Sequence, residues 1–200
     1  TVGGGIKNLN DIEQMLKNGA DKISINSAAI DNIQLIRKAS KVFGSSTIVS
    51  NIECIKIKDK YYISKSNGRD LVNIDPVVWA KKLEDYGIGE IILTSVNSEG
   101  LQKGFNIELT KKVSNKVKVP IIAHGGAGNF QHVLDVIKKT NVSGVSISSL
   151  FHYDIFMNFS CKRKKIGNFY FLENSKKNKL LNNFKRLKLF LKKENISVRC

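Results

Sequence analysis

Two hundred residues with an apolar fraction of 42% supply one sizeable hydrophobic core, and no run approaches the roughly 18 consecutive apolar residues of a membrane span. The net charge is +16, but residues 153–200 hold thirteen Lys or Arg against three acids, so +10 of it sits in the last quarter of the chain. With no aromatic-interleaved basic motif of a known reader, that charge does not point to sequence-specific nucleic-acid binding; the remaining +6 suits anionic small molecules as well as anything else.

No secretory signal is visible, so the expectation is a cytoplasmic protein without a membrane partner. Cys54, Cys161 and Cys200 are odd in number, scattered and without metal-ligand spacing, which predicts reduced thiols and no disulfide framework; no metal or redox cofactor is implied. The chain begins without Met and already inside a strand-to-helix unit, from which upstream sequence is expected.

That first unit is Thr1-Val-Gly-Gly-Gly-Ile-Lys-Asn8, opening a helix over Asp11–Asn18, with Asp21-Lys-Ile-Ser-Ile-Asn-Ser27 as the next strand. Ala28–Val42 reads as one helix, because Ile30, Ile33, Ile36 and Ala39 recur at helical spacing. Ser46–Ile57 is a strand, Lys58-Asp-Lys60 a turn, and Tyr61–Ser64 a short returning strand before the Asn67-Gly68 turn. Asp75-Pro76 starts a helix that runs to about Tyr86, Glu90–Ser95 is a buried strand, and Ile107–Val113 is a helix.

The stretch Val119-Pro-Ile-Ile-Ala-His-Gly-Gly-Ala-Gly128 then repeats the opening unit: Asn129 opens a helix over Gln131–Lys139, and Gly144-Val-Ser-Ile-Ser-Ser149 follows as a strand. Gly4-Gly5 aligns with Gly125-Gly126, Asn8 with Asn129, Ile12 with Val133, and Ser24–Ser27 with Ser146–Ser149. A strand ending in Gly-Gly exposes backbone N–H groups to a ligand, and the following helix start adds partial positive charge. Either turn alone is more often a plain tight turn; the matched pair suits a ligand carrying two phosphates.

Residues 153–178 form a basic, aromatic-dotted insert that fits no unit, read as a surface loop or as a grip on a partner or anionic ligand. Lys179–Lys193 closes the chain as a helix with Leu180, Phe184, Leu187 and Leu191 on one face. Strand and helix alternate through about six units with near-continuous apolar strands, the pattern of a parallel sheet covered by helices. Three segments result: a barrel part over 1–152, the insert over 153–178, and a terminal helix and tail over 179–200.

Thr1–Ile6, Gly19–Ala29, Gly87–Ser95, Ile122–Gly128 and Leu150–Tyr153 resemble, in order, the cyclase subunit of imidazole glycerol phosphate synthase, and Ile196-Ser-Val-Arg199 is similar to that family's C-terminal end. The resemblance implies a (β/α)8 barrel, incomplete here, that accepts ammonia from a partner glutaminase. The ammonia attacks a bis-phosphorylated ribulosyl intermediate to give imidazole glycerol phosphate and an aminoimidazole carboxamide ribotide. Carried over by position, Gly5, Asn26, Ser27, Thr94 and Gly100 would serve one phosphate, and Gly125, Gly126, Ser148 and Ser149 the other. Lys22 and Glu90 match a charged ring at the ammonia entrance, and Asp21 a position facing the glutaminase; solvated strand-end charges are the alternative for the Lys and Glu.

Several positions depart from the family. Of its two catalytic aspartates, the one on the first strand has no counterpart, and Glu53 stands at the other. Glu53 retains a carboxyl for acid–base work, displaced by a methylene, unless it is merely a strand-end surface group. Asn97 and Glu99 replace two aspartates, and His124 stands where a small residue faces the second phosphate, either donating to it or crowding it. His132 and His152 read as structural. These departures keep two alternatives open: a paralogue that amidinates an acetamido sugar of surface polysaccharide, and an inactive partial barrel.

Overall fold

The computed structural model describes residues 1–158 and 183–199. Its frame is a parallel sheet of six strands in the order β1 (Val2–Gly3), β2 (Ile23–Ile25), β3 (Ile48–Ile57), β6 (Glu90–Ser95), β7 (Ile121–His124) and β8 (Gly144–Ser146). Two further strands, β4 (Lys60–Lys65) and β5 (Asp70–Val72), continue β3 as an antiparallel extension. Between the parallel strands run α1 (Leu9–Lys17), α2 (Ser27–Asp31), α3 (Gln34–Phe43), α4 (Pro76–Asp85), α5 (Ile107–Ser114) and α6 (Phe130–Lys139). Helices α7 (Ser149–Asn158) and α8 (Phe184–Lys193) follow β8. The expected alternation and parallel pairing are both present.

One face of the sheet is covered by helices. Ile23, Ile25, Ile48, Ile52, Cys54, Ile91, Leu93 and Ile121 project into this layer against Ile12, Ile36, Ala39, Leu83 and Leu109. A second cluster packs Val133, Leu134 and Val136 of α6 against Leu150, Phe151 and, from α8, Leu187 and Leu191. Ile196 and Val198 pack against the same cluster. Fully burying one such aliphatic side chain contributes roughly 1.5–3 kcal/mol, so this layer is the main source of stability.

The other face carries what the helices do not cover. Residues paired across a parallel sheet without a bulge share a face, and the register reads Glu53 opposite Thr94, Thr94 opposite His124, and His124 opposite Ser146. Those four side chains therefore form one row on the uncovered face, with Thr94, His124 and Ser146 at or next to the C-terminal ends of their strands and Glu53 within the longer β3. Glu90 lies on the same face, four residues and about 13 Å before Thr94.

The duplicated unit is visible in the backbone. Gly4 and Gly5 have φ of 107° and 70°, and Gly125 and Gly126 have 91° and 111°. Asn8 and Asn129 both stand extended before their helices and accept from the backbone N–H of Asp11 (3.1 Å) and His132 (2.9 Å). Ile12 and Val133 are both completely buried, and Ser27 and Ser149 each begin the helix after the second strand.

The structure corrects several expected boundaries. The helix expected over Ala28–Val42 is two, broken where Asn32 turns extended and its Oδ1 accepts from Gln34 N–H at 3.1 Å, a local bond that competes with helix continuation. The strands after each helix are shorter than expected, since Ser27 and Ser149 are already helical. Residues 153–158, assigned to the insert, complete α7, and the terminal helix starts at Phe184 behind an Asn183 cap. Phe184, expected on its buried face, is 60% exposed yet its ring packs against that of Phe151, tilted by 40° with centroids 4.2 Å apart. The rest of the basic insert, with Lys179 and Leu180, lies outside the described residues.

Because the two Asn caps do the same work at distant sites, Asn8→Ala and Asn129→Ala should each cost about 1 kcal/mol, and the double variant the sum within about 0.5 kcal/mol. Urea denaturation monitored by circular dichroism measures both.

Candidate functional site

The second Gly-Gly turn is held by close packing. A Cβ on Gly126 would lie 2.1 Å from the Gly104 carbonyl oxygen, and one on Gly125 2.9 Å from that of Ser95. Gly104 N–H donates to the Gly126 carbonyl at 2.7 Å, tying the loop after β6 to the turn after β7. Upstream, Glu84 Oε1 accepts from Lys118 N–H (2.5 Å) and Val119 N–H (3.2 Å) and so fixes the entry to β7.

Against this turn sits a cavity of about 180 Å³, whose lining includes Gly100, His124, Gly125, Gly126, Ser148 and Ser149, together with Glu99, Ser146, His152 and Tyr153. The start of α7 closes one side: Ser148 C=O accepts from Phe151 and His152 N–H, at 3.1 and 3.0 Å. A first-turn helix end leaves donors facing outward, which with the Gly-Gly amides and two serine hydroxyls makes a cradle for an oxyanion. His124 stands at its edge, Nδ1 3.1 Å from Ser146 Oγ and Nε2 3.5 Å from Glu99 Oε1.

The five residues expected here, His124, Gly125, Gly126, Ser148 and Ser149, are brought together. Gly100 joins them, rather than grouping with Gly5 after the edge strand β1 as expected. Thr94 is buried and its hydroxyl donates to Asn51 Oδ1 at 2.9 Å, so that group is already engaged. His152 lines the cavity, a role its sequence context did not reveal. His132 is engaged elsewhere: its Nδ1 accepts from Gly128 N–H at 3.2 Å, its Nε2 lies 3.3 Å from Asn129 Nδ2, and its ring lies 3.7 Å from where a Cβ on Gly104 would be.

The first turn is built differently. Nothing lies within 4 Å of a Cβ placed on Gly4 or Gly5. Asn26 Nδ2 donates to the Ser64 carbonyl at 3.4 Å, and Ser27 Oγ accepts from Ser66 N–H at 3.2 Å, so both residues face the β4–β5 turn. Asn26 Oδ1 is buried without a hydrogen-bond partner.

That turn also governs Glu53. Sequence alone left it between an acid–base group and a surface carboxylate; it is only 9% exposed, because β3 runs on past it into the antiparallel extension. Gly68 N–H donates to Glu53 Oε2 at 3.0 Å. Burial pushes the carboxyl above its usual range; the Gly68 and Asn26 bonds oppose this, and Glu99 adds to it. Asn97 pins the loop after β6 to the extension, its Oδ1 accepting from Lys56 N–H at 2.6 Å. Tyr61 Oη donates to Glu108 at 3.0 Å, and Lys56 and Lys112 pair with the same carboxylate at 3.1 and 2.7 Å. Lys112 and Lys56 together hold that carboxyl down to about 2.

At the opposite end of the open face, Lys22 Nζ meets Glu90 Oε2 at 2.7 Å, joining the starts of β2 and β6 across β3. Asp21 beside them is exposed. A charged pair at one end and a carboxyl with an anion cradle at the other are the two poles of this face.

A family model described as "Histidine biosynthesis protein" matches residues 1–157. The chain belongs to this family. Its sheet is correspondingly an incomplete (β/α)8 barrel, with the row from Glu53 to Ser146 on the inner wall. The chain is 44% identical over 155 residues to the imidazole glycerol phosphate synthase subunit HisF of Clostridium botulinum (strain 657 / Type Ba4). It is 44% identical over 154 residues to the protein of that name from Hydrogenobaculum sp. (strain Y04AAS1), and 43% over 154 residues to that of Bacillus cereus (strain Q1). Each match covers 76% of this chain and 61% of the relative, so the chain spans less than two thirds of those proteins. Among the described residues no helix is long and apolar enough to cross a membrane.

The raised Glu53 carboxyl has a consequence for this family member's stability. Folding binds that proton more tightly than the unfolded chain does, so the stabilising contribution is full below the ordinary Glu range and is lost as pH rises through the folded value. Glu53→Gln, which keeps the acceptor for Gly68, should therefore be more stable than the parent at about pH 7, the gap narrowing towards about pH 4; urea midpoints across that range test it.

Proposed function

We propose that the chain supplies the cyclase chemistry of an imidazole glycerol phosphate synthase in histidine biosynthesis. In this reading it is a lyase-type enzyme that joins ammonia to a bis-phosphorylated ribulosyl aminoimidazole intermediate, releasing imidazole glycerol phosphate and aminoimidazole carboxamide ribotide. The observation that carries it is the shared row on the inner wall. A shielded carboxyl, Glu53, and the oxyanion cradle at His124 and Ser146 lie three strand spacings apart, at most about 14 Å, on one substrate-sized surface. The relatives reported above bear the name of that synthase's subunit.

Each pole has a part in this scheme. The cradle of Gly125, Gly126, Ser148 and Ser149 holds one phosphate, with Gly100 and His124 at its rim, and Gly5, Asn26 and Ser27 receive the other. Glu53, proton-bearing to higher pH than an exposed Glu, donates to the oxygen that leaves as water and accepts from the incoming nitrogen as the ring closes. Thr94, bonded to Asn51, holds the floor between them. Ammonia enters past Lys22 and Glu90, where the outer mouth with Asp21 receives a glutaminase subunit. No metal or redox step enters this scheme, and the location is cytoplasmic.

Two measurements test it. With ammonium salt and the ribulosyl bisphosphate, substrate absorbance should fall in the presence of the protein, and Glu53→Gln should lower kcat by at least about 10²-fold while ligand affinity stays within about twofold; unchanged turnover removes Glu53 from the chemistry. Lys22→Ala should spare ammonium-dependent turnover and reduce glutamine-dependent turnover with the glutaminase present. Equal loss with both nitrogen sources would contradict an entrance role.

A further inference from the structure

The cavity beside Gly125-Gly126 contains an arrangement that plain phosphate binding does not require. Its donors are neutral: backbone amides, the Ser148 and Ser149 hydroxyls and the start of α7. Into that set the fold places an imidazole and, facing it, a carboxylate. His124 Nδ1 is within hydrogen-bond distance of Ser146 Oγ at 3.1 Å, which leaves Nε2 as the nitrogen directed elsewhere, and Glu99 Oε1 stands 3.5 Å from it. That separation is too long for a well-formed hydrogen bond but well within ion-pair range. Glu99 is on the loop after β6 with its side chain 55% exposed, so it moves at little cost, whereas His124 is only 23% exposed and fixed by β7 and Ser146.

We propose that His124 is the specificity-determining residue of this cavity, and that Glu99 is an internal stand-in for the ligand's oxyanion. The carboxylate faces the imidazole; an incoming oxyanion displaces it and accepts a charge-assisted hydrogen bond from Nε2–H. A dianion beside Glu99 meets like charge, so its binding is coupled to net proton uptake by the His124–Glu99 pair. Other groups facing the cavity are His152 and Tyr153 from α7; Glu53 on β3 acts on Glu99 only through its charge. This inference rests on the reading of the cavity as a phosphate site.

Sulfate is a suitable probe because it remains a dianion from about pH 5.5 to 8.5, so any pH dependence belongs to the protein. Its dissociation constant is measured by calorimetry across that range, in buffers of different ionisation enthalpy to count protons taken up. The expectation for the parent is about tenfold tighter binding at the acid end with net proton uptake near neutrality. His124→Gln should lose both the pH dependence and the uptake, while His152→Gln keeps them. Glu99→Gln, which removes the competing carboxylate, should tighten sulfate binding at the alkaline end. If His124→Gln retains the parent's pH dependence, or Glu99→Gln leaves alkaline affinity unmoved, the inference is overturned with the phosphate site intact. If sulfate does not bind at any pH, the reading of the cavity falls with it.

Discussion

Parallel pairing without a register slip from β3 through β6 and β7 to β8 is the constraint on which the site depends. In a sheet with period two, a slip of one residue at any of these ladders would turn His124 or Thr94 toward the helices and replace it by Ala123 or Leu93. The apolar residues of each strand enforce the register, because Ile52, Leu93 and Ala123 are buried in the helix-facing layer and the residues that follow them, Glu53, Thr94 and His124, are polar. The hydrophobic layer thereby aligns Glu53, Thr94, His124 and Ser146 in one row without any of them bonding to all the others. The same pairing puts Glu90 a fixed distance below them, which is how one face acquires two chemically distinct ends.

The antiparallel extension of β3 is the second organising element, and it acts on Glu53 rather than on the cradle. Gly68 reaches Glu53 only because the chain folds back twice, at Lys58 and at Ser66-Asn67, all three with positive φ. The ion-pair group around Glu108 then holds the extension to α5. These surface pairs contribute little to global stability, but they hold a lid of backbone over one carboxyl. Burial of Glu53 is thus a property of the extension, and the carboxyl's tendency to keep its proton follows from it.

How much of this was legible in the sequence depended on how local each cause was. The repeated Gly-Gly turn with an Asn three residues on could be read directly, because positive φ and helix capping are decided within a few residues, and both copies fold alike. Strand and helix order followed from apolar periodicity. The break at Asn32 escaped because Ile33 and Ile36 keep helical spacing across it, and β5 escaped because Asp70-Leu-Val72 carries little apolar signal. The site was legible residue by residue but not in its grouping. Gly100 joins Gly125 through the Gly104–Gly126 bond, a contact between loops far apart in the chain, and the shielding of Glu53 needs the folded extension. The resemblance located the positions; only the register showed which of them share a face.

The two glycine turns share a backbone but differ in what surrounds them, and this divides the entropy of binding unequally. At Gly125 and Gly126 neighbouring carbonyls already fill the space a Cβ would need, so the amides are ordered before any ligand arrives. At Gly4 and Gly5 nothing stands within 4 Å of where a Cβ would lie, so no neighbour braces that turn and a ligand there would bear the cost of ordering it. A doubly charged, two-ended molecule would therefore anchor enthalpically at the preorganised end and lose configurational freedom at the other. Such a division favours one order of engagement, with the rigid cradle capturing first and the open turn closing on what is already held.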